Sequence, residues 1–223
     1  SAKYVSVAID SVLASDYSNI ELLICDDASK DNTWEIISNY NDNRIRAYRN
    51  DDNKGEYFNR NYCIDLAEGD YFVFIDGDDY IYPDGISRFL KGSLIDTDAA
   101  MIISRPESDH MIYPVVLKPE NAFKYDYLGL GITSQGFPST LFKTSYLKKY
   151  KLSTEFIAGD THIKKSLAYN HNTILIANEV AWWRRTPGQA SEKLLNSISG
   201  SLEHYKLSIS FLTKYGDKFL NEI

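Results

Sequence analysis

Long apolar runs are missing from this sequence. The longest, Ile20 to Cys25 and Tyr71 to Ile75, have strand length, far short of the ~20 residues of a membrane-spanning helix. The first residues also lack the charged start and apolar stretch of a signal peptide. Cysteine is scarce. Cys25 and Cys63 lie inside apolar patterns without metal-ligand spacing, so the expectation is two buried thiols in a reducing compartment. Positive charge is in deficit. Lys+Arg 24 against Asp+Glu 31 gives −7, the wrong sign for general nucleic-acid binding, which needs a positive field. Repeats, low-complexity tracts and a clear linker are absent too. The 223 residues therefore read as one domain.

What is there suits a packed globular chain. It is 43% apolar and 25% charged, enough to build a core. Aromatics reach 13%, with 17 Tyr, which fits clefts that stack rings or sugars. The first hundred residues alternate helix and strand at short spacing. A helical period runs from Ser1 to Ser15 with Val5, Ile9, Val12 and Leu13 on one face. Strand Ile20 to Cys25, a helix from the Asp31-Asn32-Thr33 caps to Tyr40, and strand Arg44 to Tyr48 follow. Next come a helix from Glu56 to Ala67 with Phe58, Tyr62 and Leu66 in step, and strand Tyr71 to Ile75, the most buried-looking of all. Pro83 starts a helix to Lys91, and Ala99 to Ser104 is a further strand. This alternation argues an α/β fold with a mostly parallel central sheet flanked by helices. Such a sheet ordinarily opens on a strand, yet a helical period comes first here, so the expectation is that its first strand is not in the sequence.

The second half is less regular. Residues 105 to 118 suggest a mobile or edge-strand segment. Phe137 to Phe142, Thr173 to Ala177 and Val180 to Trp183 read as strands, and Lys143 to Tyr150 and Asp160 to Asn170 as helices. Ser199 to Phe219 is a helical tail with Leu202, Tyr205, Ile209 and Leu212.

Two of the strands end in acidic clusters, Asp26-Asp27 and Asp76-Gly77-Asp78-Asp79. In open α/β sheets ligands bind beyond the carboxyl ends of strands. Three aspartates within four residues repel one another unless a positive group sits among them. A hard divalent cation, Mn²⁺ or Mg²⁺, is the natural partner, because it favours carboxylate oxygen and also binds phosphates. The competing reading is a solvated turn capping the helix at Pro83.

The order of these elements resembles the family 2 glycosyltransferases of the GT-A fold. Glu21-Leu-Leu-Ile-Cys-Asp-Asp-Ala-Ser-Lys-Asp-Asn-Thr33 is similar to the family's first signature. Lys54-Gly55 with Asn59-Arg60-Asn61, then Ala67-Glu-Gly-Asp-Tyr-Phe-Val-Phe-Ile-Asp-Gly-Asp-Asp79, resembles the second, which holds the DXD motif. Gly159-Asp160-Thr161 resembles the later acidic site, and Trp183-Arg184-Arg185-Thr-Pro-Gly-Gln-Ala-Ser191 a late strand and loop. The resemblance implies inverting sugar transfer from a nucleotide donor, UDP by expectation. The acceptor is a glycan or lipid-linked glycan, in cell-surface polysaccharide synthesis. It implies a nucleotide-binding half, 1–104, an acceptor half, 105–198, and a tail, 199–223. By resemblance, Asp26, Asp27, Gly55, Arg60, Asp76 and Asp78 bind nucleotide. Asp78 and Asp79 hold the metal, Asp160 is the catalytic base, and Trp183 and Arg185 face the acceptor.

The chain departs from the family pattern in three places. The family's first strand and its loop, which help hold uracil, are not matched. Thr186 stands where a histidine is frequent, and Gly159 where a Glu often precedes the acid. Taken alone, Asp160 reads as a helix N-cap and His162 as an exposed helical residue. Trp182 and Trp183 alternate faces, one toward a cleft and one toward the core. Arg184 and Arg185 reach a diphosphate or are surface charge. Lys148, Lys149, Lys151 and the tail lysines leave peripheral membrane association open beside the commoner solvated face, so the expected location is cytoplasmic, at the inner face of the membrane if associated. A non-catalytic nucleotide-sugar or glycan-binding domain of the same fold is the rival reading. An aspartate-dependent phosphotransferase-like hydrolase would want a downstream lysine and a second acidic cluster in matching order, and no convincing set is found.

Overall fold

The computed structural model describes residues 2–107, 111–156, 158–186 and 198–220, without the side chains of 198, 199 and 220. The chain opens with α1 (Val5–Leu13), whose Val5, Ala8, Ile9 and Val12 recur every three or four residues and are buried. Then come β1 (Leu22–Asp26), α2 (Thr33–Ser38), β2 (Ile45–Arg49), α3 (Glu56–Leu66), β3 (Tyr71–Val73), β4 (Tyr80–Ile81) and α4 (Gly85–Ser93). The second half holds β5 (Met101–Arg105), β6 (Val115–Leu117), α5 (Pro119–Tyr125) and a π-helical turn, Asp126–Leu130. A 3-10 turn, Phe137–Ser139, leads into β7 (Thr140–Lys143), then α6 (Thr144–Tyr150), α7 (Gly159–Ala168), β8 (Thr173–Ala177), β9 (Ala181–Trp182) and α8 (Ile198–Leu220).

The strands form three sheets: β1-β2, β3-β7-β5-β8-β6, and β4-β9. The α/β class is as expected, but the central sheet is mixed. β1 with β2 and β5 with β8 are parallel, whereas β7 lies antiparallel between β3 and β5, and β6 antiparallel on β8. Residues 105 to 118 do supply an edge strand, β6.

Side chains alternate across the sheet as pleating requires. Met101, Ile103, Phe142 and Leu175 face one core with α5, α6, α7 and α8, while Ile102, Leu141, Ile174 and Ile176 face another with Phe89 of α4. A third, small cluster joins Val5, Ile9 and Ile37 to Leu22, Ile24 and Ile45.

Several expectations are corrected here. Tyr71 to Ile75 is not the most buried strand; Tyr71, Phe72 and Val73 are half-buried, whereas Met101 to Ser104 are fully buried. The two cysteines are not separate buried thiols. Half-buried Cys25 of β1 and Cys63 of α3 are joined as a disulfide, with Cα atoms 6.6 Å apart. In α3, Phe58 is exposed, and the packed side carries Ile64 with the polar Arg60 and Asn61. In α8 the inward stripe is Leu207, Phe211, Tyr215 and Phe219; Leu202, Tyr205 and Ile209 face outward. Two apolar stripes compete on that helix, and the more aromatic one buries more area. No described helix is long and apolar enough to cross a membrane.

Between β1 and β3 lies a slot. Among the described residues each has a single strand partner, β2 and β7 respectively. Their other edges bound a cavity of about 1100 Å³, roofed by α1 residues such as Ile9 and floored by α3 residues such as Cys63.

Candidate active site at the open slot

The mouth of the slot is where the first acidic cluster emerges. Asp26 ends β1 buried, its carboxylate 3.3 Å from the Arg49 guanidinium and accepting from the Ser29 amide. Ala28 then takes a left-handed φ of 56°, unusual for a residue with a Cβ. Strain of this kind clusters at functional turns. Asp27 is turned the other way. Its carboxylate accepts from the Lys54 and Gly55 amides at 2.8 and 2.9 Å and from Asn50 Nδ2 at 2.7 Å. Burial pushes its carboxyl up, but these donors outweigh that and hold it below the ordinary value. Gly55, at φ 96°, is the hinge from this loop into α3, a conformation only glycine adopts cheaply.

Arg60 comes from the first turns of α3. Its guanidinium, 13% exposed, contacts Asp76 Oδ1 at 2.6 Å and also pairs with Glu56 one turn back. Asp26, Asp27, Arg60 and Asp76 therefore line one cavity. The Asp76 turn closes with the Asp79 amide donating to the Asp76 carbonyl at 2.9 Å. Asp79 points inward and is 1% exposed. One oxygen accepts the Arg184 amide at 2.8 Å; the other is buried without a partner among the described residues. Burial, with Asp76 and Asp78 close by, pushes its carboxyl up to about 7 against the opposing amide. Asp78 accepts from the Thr186 hydroxyl at 2.9 Å, and its carbonyl from Arg184 Nε at 2.8 Å. Among the described residues, no three His, Cys, Asp or Glu side chains converge as a ready metal cage.

Asp160 is within electrostatic reach of Arg60, the partner of Asp76. It is not an N-cap: it lies inside the first turn of α7, whose cap residue is Ala158. Burial pushes its carboxyl up. The Lys164 ammonium, the Thr161 amide and Arg60 outweigh that and hold it below the ordinary value. Gly159 has a local reason. A Cβ there would sit 2.7 Å from the Tyr57 ring of α3, whose hydroxyl accepts the Gly159 amide at 2.9 Å. Tyr57 thus fills the space a side chain at 159 would need.

The Glycosyl transferase family 2 model matches residues 1–153. The chain belongs to the family 2 glycosyltransferases. An Escherichia coli UDP-Glc:alpha-D-GlcNAc-diphosphoundecaprenol beta-1,3-glucosyltransferase, WfaP, is 44% identical over 72 residues, 32% of this chain and 29% of that relative. An uncharacterized glycosyltransferase of Rickettsia typhi is 27% identical over 96% of this chain and 69% of its own length. Among solved structures, Staphylococcus aureus TarS 1-349 in complex with UDP-GlcNAc has a TM-score of 0.67 at 17% identity, covering 96% of this chain and 69% of that one. The mannosyltransferase PcManGT of Pyrobaculum calidifontis, in complex with GDP-Man and Mn²⁺, has a TM-score of 0.69 at 16% identity, covering 94% and 61%. At such identities the structures show the GT-A fold alone.

The remaining candidates of this glycosyltransferase each have partners of their own. Trp182 stacks on Tyr80 with ring centroids 6.4 Å apart, and Trp183 carries the Arg185 guanidinium 5.7 Å above its ring. Both tryptophans are about half exposed, so neither packs in the core. Arg184 is held over the Tyr4 ring and on the Asp78 carbonyl. His162 is not exposed: its ring stacks on Phe156 at 4.8 Å and its Nδ1 is buried. Of the lysine cluster, Lys148 donates to the Ala67 carbonyl and Lys151 pairs with Asp65. The rest of the late loop, Pro187 to Ser191, lies outside the described residues. Sequence reasoning missed Tyr57, Asn50 and Lys164. The signal for Lys164 was its place one turn after Asp160.

Proposed function

We propose that this glycosyltransferase moves a sugar from a uridine diphosphate donor to a hydroxyl of a lipid-linked glycan, with inversion and a divalent cation, in cell-surface polysaccharide synthesis. The observation that carries the reading is the gathering of Asp26, Asp27, Arg60 and Asp76 on the lining of one cavity, with Asp160 in electrostatic reach of Arg60. The E. coli relative, named for UDP-Glc and a lipid-linked acceptor, supports the same substrate classes. In this reading residues 1–104 bind nucleotide and residues 105–198 shape the acceptor side.

The base of the nucleotide lies against Asp26 and Asp27. Asp27 already takes three donors, and a carboxylate offers about four acceptor positions, so one remains for the N3–H of uracil. The acidic turn suits a cation. Its buried Asp79 oxygen, unpartnered among the described residues, and a carboxyl pushed up to about 7 mark a turn short of positive charge. Asp78 and Asp79 would hold Mn²⁺ or Mg²⁺, which supplies charge neutralisation at the diphosphate when bound. Asp160 is ionised at neutral pH. It takes the proton of the acceptor hydroxyl as that oxygen bonds to the anomeric carbon and the bond from that carbon to the diphosphate breaks, releasing UDP. Direct attack needs one base and no covalent intermediate, which gives inversion. Trp183 with Arg185 offers an exposed aromatic and cationic platform for the acceptor.

The test is UDP release from UDP-glucose with a GlcNAc-diphospholipid acceptor and Mn²⁺. Asp160→Asn should lower turnover by about 10²–10⁴-fold and leave UDP binding intact, and Asp78→Ala should abolish the response to Mn²⁺. Transfer by Asp160→Asn at the parent rate would sink the assignment of the base. UDP affinity unchanged in excess chelator would sink that of the metal.

A further inference from the structure

Helix α7 buries two consecutive lysines, Lys164 at 0% and Lys165 at 6% exposure. A buried ammonium is costly unless it is paired and hydrogen-bonded. Lys165 has its own partners behind the site, Asp126 and the Tyr169 hydroxyl. Lys164 is directed elsewhere. It donates to the Gln135 backbone carbonyl, lies 5.9 Å from the Phe137 ring centroid, and meets Asp160 Oδ2 at 3.5 Å one turn back on the same helix. The Asp160 side chain is 31% exposed while the Lys164 side chain has no exposure. Lys164 meets Oδ2 and the Thr161 hydroxyl meets Oδ1 at 3.4 Å; burial presses the Lys164 ammonium toward its neutral form and the Asp160 carboxylate opposes this.

We infer that Lys164 is a positioning residue for Asp160, holding Oδ2 of its carboxylate so that the group is fixed in place to meet the acceptor hydroxyl. The inference rests on Asp160 being the base. The groups facing Asp160 are Lys164 and Thr161 of α7 and Arg60 and Tyr57 of α3. Those facing Lys164 are Asp160, Lys165 and Asp126. Arg60 is committed to Glu56 and Asp76, and Lys165 to Asp126. Lys164 has Asp160 as its carboxylate, and the Gln135 carbonyl fixes where its charge sits. Lys164 also ties the base to the loop at Gln135, which lines a cavity of about 190 Å³ with Arg105 and Tyr113.

The sign follows from charge. A base works above its own pKa and fails as pH falls through it. Burial alone would raise the Asp160 value, and the Lys164 ammonium opposes this. Removing the ammonium should move the acid limb of activity to higher pH. The experiment is a carboxyl ¹³C NMR titration of the aspartate-labelled full chain, with Asp160→Asn assigning the resonance. Asp160 should titrate below the ordinary ~3.9 in the parent and at least one unit higher in Lys164→Met, a tenfold change in proton affinity. UDP affinity should stay the same. With UDP-glucose and a GlcNAc-diphospholipid, Lys164→Met should lower kcat and shift its acid limb alike, and Asp160→Asn/Lys164→Met should be no slower than Asp160→Asn, because the lysine acts through the aspartate. Lys164→Gln serves the same titration if the methionine variant does not fold. An Asp160 titration that stays in place without the lysine overturns the inference, as does a double variant slower by the product of both losses. Full activity of Asp160→Asn overturns the reading of the base instead, so the two failures are distinguishable.

Discussion

Around β5 and β8 each strand has a partner on both sides, and Met101, Ile102, Ile103, Ile174 and Leu175 are sealed between helical layers. At β1 and β3 each strand has one partner among the described residues, and equally apolar side chains, Leu22, Leu23, Ile24, Phe72 and Val73, are half-buried around the slot. The sequences of the two regions read alike; their closure does not. The difference shows that hydrophobicity marks a strand without saying whether both its edges are paired. It also shows where the chemistry gathers. The closed region carries packing, while Asp26, Asp27, Arg60 and Asp76 line the open one.

That contrast can be broken by substitution. Phe142, fully buried in β7, packs against Phe74 and Phe137, so Phe142→Ala should cost about 3–5 kcal/mol in chemical denaturation. Asp126 is the electrostatic anchor of the closed region, accepting from Lys165, the Tyr169 hydroxyl and Thr133. Asp126→Asn would leave the Lys165 ammonium buried and unpaired and should cost about 3 kcal/mol at neutral pH. The pH sign is checkable. Burial pushes Asp126 up, and Lys165 with the hydrogen bonds outweighs this and depresses it. Its stabilisation is present above the unfolded value of ~3.9 and is lost as pH falls through the lower folded one. The gap between parent and Asp126→Asn should therefore shrink in acid; a constant gap would count against the pairing.

In the open region smaller losses are expected. Asp27→Ala removes the acceptor of two backbone amides and Asn50, and should cost about 1–3 kcal/mol while preferentially freeing the amides of Lys54 and Gly55 in hydrogen exchange. Gly55→Ala places a Cβ at φ 96° with nothing within 4 Å, so backbone strain alone, about 1 kcal/mol, should appear. Leu23→Ala, on a wall of the slot, should cost less than about 1 kcal/mol, with its amide exchanging faster than those of Ile102 and Ile174. A Leu23→Ala loss equal to that of Phe142→Ala would erase the contrast.

Helix period, strand length and the order of motifs along the chain are local properties, and the sequence alone determined them: the alternation of the first hundred residues, the acidic strand ends, and the family to which they belong. Arg60, Asp76 and Asp160 could be nominated from motifs, but bringing them near one another depends on the first turns of α3 and α7 meeting, as Tyr57 does with Gly159, a long-range event that no spacing encodes. Only the tertiary structure decided that Arg60 and Asn61, not Phe58, take the inward side of α3, because a buried guanidinium there satisfies Glu56 and Asp76. It likewise decided which of two apolar stripes of α8 packs, since the stripe of Phe211, Tyr215 and Phe219 meets the aromatic core. The pairing of Cys25 with Cys63, the Thr186 hydroxyl on Asp78 and the Tyr57 ring against Gly159 are contacts between residues 38, 108 and 102 positions apart. Contacts of that range leave no periodic trace in a chain, because the physics that selects them is the shared burial of surfaces formed only once the sheet is assembled.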